Sequence, residues 1–206
     1  MILNAVEKAL MNNPVRAAVQ RTYETRLLER LGGRVEGARV LEIGCGRGVG
    51  TEIVLTHFGA RHVDAFDLDP DMVARAHRRL APFGDRVRLW CGDATEIPAE
   101  DSSYDAVFDF GIIHHVPAWR EAVRELARVL RPGGRFFFEE VTRHALDRWA
   151  YRLFLDHPSE DRFSGAEFVD ELERAGFSVP RWTERFFGDF VFGAALRGPA
   201  AASPHA

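Results

Sequence analysis

Val40-Leu-Glu-Ile-Gly-Cys-Gly-Arg-Gly-Val-Gly50 sets a short apolar run against a glycine-rich turn. Ala38 to Ile43 reads as a strand, and Val49 to Phe58 as the helix that follows it. Between them, Gly44, Gly46 and Gly48 let backbone approach a ligand where a side chain would stand in the way. The helix aims its first amides at the same place. Taken alone, such a turn describes any tight strand-to-helix connection. Two exclusions narrow it. The G-x-G-x-x-G spacing of dinucleotide binders fails, because Val49 and Thr51 stand where a third glycine would fall, and the turn lacks the lysine of a phosphate loop.

The alternation continues outward. His62 to Phe66 reads as a second strand, and Asp69-Pro70-Asp71 opens a helix with a cap, a first-turn proline and an acid near the positive helix end. That helix points Met72, Val73, Ala76 and Leu80 inward and stops at Pro82 and Gly84. Arg86 to Cys91 and Tyr104 to Phe110 read as strands, Trp119 to Leu130 as a helix closed by Arg131-Pro-Gly-Gly134, and Phe136 to Phe138 as a fifth strand. Ser164 with Glu167 forms a capping box for a helix ending at Gly176. Phe177 to Arg185 and Phe190 to Leu196, parted by Gly188-Asp189, read as two antiparallel strands closing the sheet. There is no internal repeat. The pattern predicts an α/β architecture with helices on both faces of a mostly parallel sheet.

Residues 1–37 precede the first strand and are expected to form a helical cap rather than an independent domain; 38–197 form the sheet domain, and 198–206 a frayed tail. Val19, Tyr23, Leu27 and Leu31 recur every four residues, with Arg16, Glu24 and Arg30 off that line. The apolar line is expected to pack on the sheet domain, and a membrane-surface helix is the competing reading.

Composition sets the outer limits. With 206 residues, 46% hydrophobic and 28% charged, the chain reads as one soluble globular domain with room for a small cap. Cys45 and Cys91 are too few for a disulfide scaffold and lack metal-ligand spacing, so no metal is expected. A net charge of −4, with Lys8 the only lysine, argues against a dedicated nucleic-acid binder. No apolar run approaches the ~20 residues of a membrane span, and MILNAVEKAL lacks the features of a signal peptide. A cytoplasmic protein is the resulting expectation.

Asp67 ends the second strand, 19 residues after Gly48, where a carboxylate can accept hydrogen bonds from both hydroxyls of a ribose. Asp93, after the third strand, suits an adenine amino group, although a lone aspartate there is more often a turn former. Three successive strands ending in a glycine turn or a carboxylate favour one shared site at that sheet edge.

The segments VLEIGCGRGVG, VDAFDLDPDMV, CGDATEIP, YDAVFDFGIIHHV and ELARVLRPGGRFFFEE, in this order, resemble class I S-adenosylmethionine-dependent methyltransferases, similar to the group that includes the ubiquinone and menaquinone biosynthesis enzymes. The resemblance covers residues 38–141, more loosely to 197. It implies a Rossmann-like, seven-stranded, mostly parallel sheet with an antiparallel C-terminal strand, and S-adenosyl-L-methionine as cofactor. It further implies that Glu42, Gly44, Cys45 and Gly46 surround the methionine part. Asp67 would hold the ribose, Leu68 and Met72 would lie beside the adenine, and Asp93 and Ala94 would hold its edge. Asp109, Phe110 and Gly111 would line the site near the sulfonium.

For the acceptor, His114 and His115 follow the fourth strand and are the candidate catalytic bases, with pocket shaping as the plainer reading. Glu139, Glu140 and His144 approach from the next strand, where pairing with Arg135 or Arg143 is the alternative for the two carboxylates. Tyr23 is a candidate hydroxyl donor from the cap, and Trp149, Tyr151 and Phe154 suggest a pocket wall for an apolar or aromatic small molecule. The predicted function is methyl transfer to such an acceptor by in-line displacement. A lipid or protein methyltransferase docking through the N-terminal helix and a non-catalytic cofactor-binding protein are the alternatives. No integral membrane association is expected, and the small cap leaves room for a homodimer.

Overall fold

A computed structural model describes residues 13–147 and 161–199. Seven strands form one sheet in the order β3-β2-β1-β4-β5-β7-β6. They are β1 (Arg39–Ile43), β2 (His62–Asp67), β3 (Val87–Cys91), β4 (Tyr104–Phe110), β5 (Leu130–Val141), β6 (Phe177–Arg185) and β7 (Phe190–Arg197). All neighbours pair in parallel except β7, which runs antiparallel between β5 and β6. The Rossmann-like arrangement read from the sequence is the one observed. Strand order reverses between β1 and β4, so the crossovers diverge there and leave a crevice at the carboxyl edge.

Alternation along each strand divides the core into two layers. On β4 and β5, Val107, Phe136 and Phe138 face a layer containing Trp119, Leu126 and Phe168. Phe108 and Phe137 face the opposite layer with Val54, Phe58 and Leu28. The rings of Phe108 and Phe137 stack 4.4 Å apart across the strand pair. Gly193 on β7 leaves the space that Phe138 fills, since a Cβ there would lie 2.1 Å from its ring.

The predicted helix starts are found with their mechanisms. Asp69 caps Pro70–Leu80 by accepting from the Asp71 amide, and Ser164 and Glu167 form the reciprocal capping box of Gly165–Arg174. Pro82 and Gly84 fall in a short 3-10 stretch, Ala81–Arg86, that ends the first of these. The turn Arg131-Pro-Gly-Gly134 lies within β5, which begins earlier than expected, at Leu130.

The N-terminal helix departs from its predicted face. It runs as Pro14–Val19, a π turn over Gln20–Glu24, and Thr25–Gly32. Ala17, Gln20, Glu24, Thr25 and Leu28 are buried, whereas Val19 and Tyr23 are exposed and Leu27 and Leu31 only partly covered. Two physical causes account for this. The π turn inserts extra backbone and rotates the faces out of simple four-residue register. Arg16 then locks the polar face down, with Nη1 2.5 Å from Glu24 and Nη2 3.0 Å from Glu139 on β5. Trp149, Tyr151, Phe154 and the tail beyond Pro199 lie outside the described residues.

Candidate functional site

The carboxyl edges of β1, β2 and β4 open into a cavity of about 400 Å³. It is within the size range of small-molecule sites. Its floor is the glycine turn. Gly44, Gly46 and Gly48 all have positive φ, at +64°, +51° and +82°. At Gly44 the demand is steric as well, because a Cβ would lie 2.2 Å from Ile112; at Gly46 it would meet nothing within 4 Å and would project into open space. Gly46 is therefore the position at which ligand, not protein, would touch the backbone.

Glu42, at the end of β1, lines this cavity although it is almost wholly buried. Its partner is the Thr51 hydroxyl, which donates to Oε2. Burial, with the charges of Asp67 and Asp109 nearby, pushes its carboxyl up to about 8. Asp64, at the opposite end of β2, makes the contrast. Burial opposes its ionisation too, yet hydrogen bonds from Arg39, Tyr104 and His62 hold it below the usual carboxylate range. Asp64 is a satisfied structural charge, and Glu42 has no cationic partner among the described residues.

Asp67 sits at the tip of β2, accepting from the amides of Gly46 at 2.8 Å and Asp69 at 2.9 Å. It thereby ties the glycine turn to the second strand. Cys45, Leu68, Met72, Asp93, Ala94, Phe110 and Gly111 also line the cavity. One oxygen of Asp93 closes its own turn, accepting from the Thr95 amide and hydroxyl at 2.9 and 2.8 Å. Both the turn-forming and the cavity-lining descriptions of Asp93 therefore apply. Burial pushes the Cys45 thiol up, which leaves it a neutral wall.

Asp109 does not line the cavity. Its side chain is fully buried beneath the wall, accepts from the Ile112 amide at 2.9 Å and is hydrogen-bonded to Glu140. Two carboxyls in one apolar site cannot both ionise freely. Burial, then the Glu140 charge, keeps Asp109 well above the carboxylate range. Burial also pushes Glu140 up to about 7, against hydrogen bonds from Asp109 and the amides of Ile113 and His114.

The two histidines have different surroundings. The His114 side chain is almost covered, with Nδ1 2.6 Å from Glu140, while His115 lines the cavity. Their rings lie 4.1 Å apart. Glu139 and Glu140 do not pair with Arg135 or Arg143 as the sequence allowed. Glu139 reaches Arg16 and Glu140 reaches His114, whereas Arg135 donates to the Gly32 carbonyl and Arg143 pairs with Glu167. His144 pairs with Asp189, 2.8 Å away, and Tyr23 packs its ring edge-on against Phe186 and Phe192.

Arg16, Ala17 and Gln20 of the N-terminal helix also line the cavity, and the sequence reading missed them as cavity residues. The residues carry no recognisable motif, and Gln20 lies off the apolar line that the spacing marked for burial. Among the described residues there is no cluster of potential metal ligands and no helix long and apolar enough to cross a membrane.

Residues 40–134 match the family model described as a methyltransferase domain. The chain is 37% identical over 169 residues to malonyl-[acyl-carrier protein] O-methyltransferase of Halorhodospira halophila, covering 80% of this chain and 57% of that one. It is 29% identical to demethylmenaquinone methyltransferase of Tropheryma whipplei, covering 91% and 86%. The chain spans about half the length of the curated relatives that it matches at 35% to 39% identity. Among solved structures, a SAM-dependent methyltransferase from Aquifex aeolicus superposes with a TM-score of 0.71 over 94% of this chain and 97% of that one; at 22% identity this shows the fold alone.

Proposed function

The chain carries a class I S-adenosylmethionine-dependent methyltransferase domain, and from that premise we propose that it moves a methyl group to a small, apolar or aromatic acceptor. One observation carries the reading: a buried carboxyl, Glu42, without a cationic partner among the described residues lines a glycine-floored cleft that also presents Asp67 and Asp93. Four carboxyl side chains, Glu42, Asp67, Asp69 and Asp93, line the cleft against two arginines, Arg16 and Arg47, of which Arg16 is engaged with Glu24 and Glu139, so the cleft has an excess of acid. A cationic ligand with a hydroxylated ribose fits this donor set, and an anionic phosphate does not.

Glu42, Gly44, Cys45 and Gly46 would hold the methionine portion, Asp67 the ribose hydroxyls, Leu68 and Met72 the faces of the base, and Asp93 and Ala94 its edge. When bound, S-adenosylmethionine supplies an electrophilic methyl group on a sulfonium. Phe110 and Gly111 form the wall there, while Asp109 acts from behind it, fixing the Ile112 amide rather than touching ligand. His115 would remove a proton from a hydroxyl or carbon-acid acceptor. His114 would position it through ring contact, held in turn by Glu140. For an acceptor that needs no proton removed, the same histidines shape the pocket. Positioning supplies much of the rate in an in-line displacement, and the N-terminal helix roofs the cleft against water.

The net charge of −4 supports a partner other than nucleic acid, the sparse cysteines support a cytoplasmic location, and the small cap leaves a second subunit as an additional cover. Titration calorimetry with S-adenosylmethionine and S-adenosylhomocysteine tests the cleft, with Asp67→Ala as control. Binding of both, lost in the variant, is expected; binding of neither refutes the reading. Screening cell extracts by mass spectrometry for products heavier by one methylene then identifies the acceptor.

A further inference from the structure

The roof helix and the β6–β7 hairpin present an apolar surface that neither the core nor the cleft uses. Val15 and Val19 lie a turn apart on the outer face of the helix, 67% and 39% exposed, and Tyr23 continues the line. Tyr23 meets Phe186, whose ring lies 5.9 Å away. Phe186 and Phe187 form the tip of the hairpin, and Phe187 is 94% exposed.

Both phenylalanines have positive φ, at +55° and +60°. Bulky L-residues are disfavoured there; Phe186 packs on Tyr23 and Phe190, whereas Phe187 has no ring contact among the described residues to offset its backbone conformation. The turn that holds them is pinned from below: Thr142 donates its hydroxyl to the Gly188 carbonyl at 2.5 Å and its amide to the Asp189 carbonyl at 2.9 Å. The rings are thus presented on a fixed turn. Because β6 runs parallel to β5, the tip emerges at the same carboxyl edge as the cleft.

The sheet face beneath these rings carries positive charge, whereas Glu184, beside the turn, pairs with Val191 and stands on the opposite face. Arg26 is exposed on the same helix, and Arg181 and Arg185 pair with Ala194 and Phe190 of β7, so they share the sheet face on which Tyr23 packs. None of these three arginines is in an ion pair among the described residues, whereas Arg16, Arg21, Arg79 and Arg128 are. Apolar side chains on a face that also carries unpaired arginines match an interface with anionic headgroups above and hydrocarbon below.

We propose that Val15, Val19, Tyr23, Phe186 and Phe187 dock the protein on anionic lipid surfaces, holding the mouth of the cleft against the bilayer. The inference specifies a partner for the edge at which the proposed chemistry takes place, but its own test does not need that chemistry. Co-sedimentation of the full chain is measured with phosphatidylcholine vesicles and with vesicles containing phosphatidylglycerol. The anionic vesicles are expected to bind on the order of tenfold more tightly, with the difference falling as salt screens it.

Phe187→Asn places a residue that tolerates positive φ at the tip. It is expected to raise the thermal midpoint, leave S-adenosylhomocysteine affinity unchanged and weaken vesicle binding about tenfold. A stabilised variant that binds vesicles as well as the parent overturns the proposal. So does a parent that binds neither vesicle; if it also self-associates in sedimentation velocity, the same surface belongs to a second copy. Loss of cofactor binding with vesicle binding intact counts against the methyltransferase reading alone.

Discussion

Replacing Glu42 with glutamine keeps the shape of the side chain and its hydrogen bond with Thr51 while removing its titration. In the parent the carboxyl lies at about 8, so at pH 6 about one molecule in a hundred has it ionised. A ligand cation that requires the carboxylate must then oppose about 2.7 kcal/mol, roughly a hundredfold in affinity, and one pH unit higher about tenfold less. Affinity for S-adenosylhomocysteine, whose ammonium remains after the sulfonium is gone, should therefore rise about tenfold per pH unit from 6 towards 8 and then level off. Near pH 7, binding should release close to one proton, read by calorimetry in buffers of different ionisation enthalpy. Glu42→Gln should bind like the parent at pH 6, lag it increasingly towards pH 8.5 and release no proton from this site. Profiles that stay parallel across the range would refute the assignment of Glu42 as the group that meets the cation.

The two glycines of the turn should separate folding from binding. Gly44→Ala drives a methyl into Ile112 and should cost about 2–4 kcal/mol in urea unfolding, whereas Gly46→Ala should cost only about 1 kcal/mol for its backbone conformation and weaken cofactor binding at least tenfold. Stability should also depend on pH with a defined sign. Glu42 and Glu140 have folded values of about 8 and about 7, raised from 4.5, so their contribution is fully present below 4.5 and is lost as pH rises through 7 and 8. The thermal midpoint should fall between pH 5 and 8, and Glu42→Gln should flatten that fall. With a hydroxyl or carbon-acid acceptor in hand, His115→Ala should lower turnover by about 10²–10⁴ at unchanged cofactor affinity, and Glu140→Gln should shift the pH profile of turnover. Full turnover in His115→Ala would remove it as a base.

The strands and helix caps were legible because each is written within a few neighbouring residues. Asp69 and Ser164 cap by reaching their own backbone two and three residues on, and the glycine turn announces its conformation by composition. The partners of Glu139 and Glu140 were not. Consecutive strand residues point to opposite faces, so adjacent glutamates meet Arg16, more than a hundred residues away, on one side and His114 on the other. Sequence proximity to Arg135 and Arg143 carried no information about either. Likewise, the four-residue spacing of Val19, Tyr23, Leu27 and Leu31 marks an apolar stripe, but a buried ion cluster and a π turn decided which face went inward. The adjacent histidines look equivalent in one dimension and are separated only by the 3-10 turn that carries them.

The seating of the roof helix has a consequence for the order in which the chain is made. Its end packs against strands more than a hundred residues later in the sequence: a Cβ on Gly32 would lie 2.2 Å from Phe137 and 2.7 Å from Ala194. During synthesis the glycine turn, β2 and β4 emerge long before β7, which has to insert between β5 and β6 before that platform exists. A helix made before any strand of the sheet is thus among the last elements of the sheet domain to find its place. Until β7 arrives, a nascent chain has a cleft with a floor and no roof, and its apolar stripe remains a surface for a chaperone to hold.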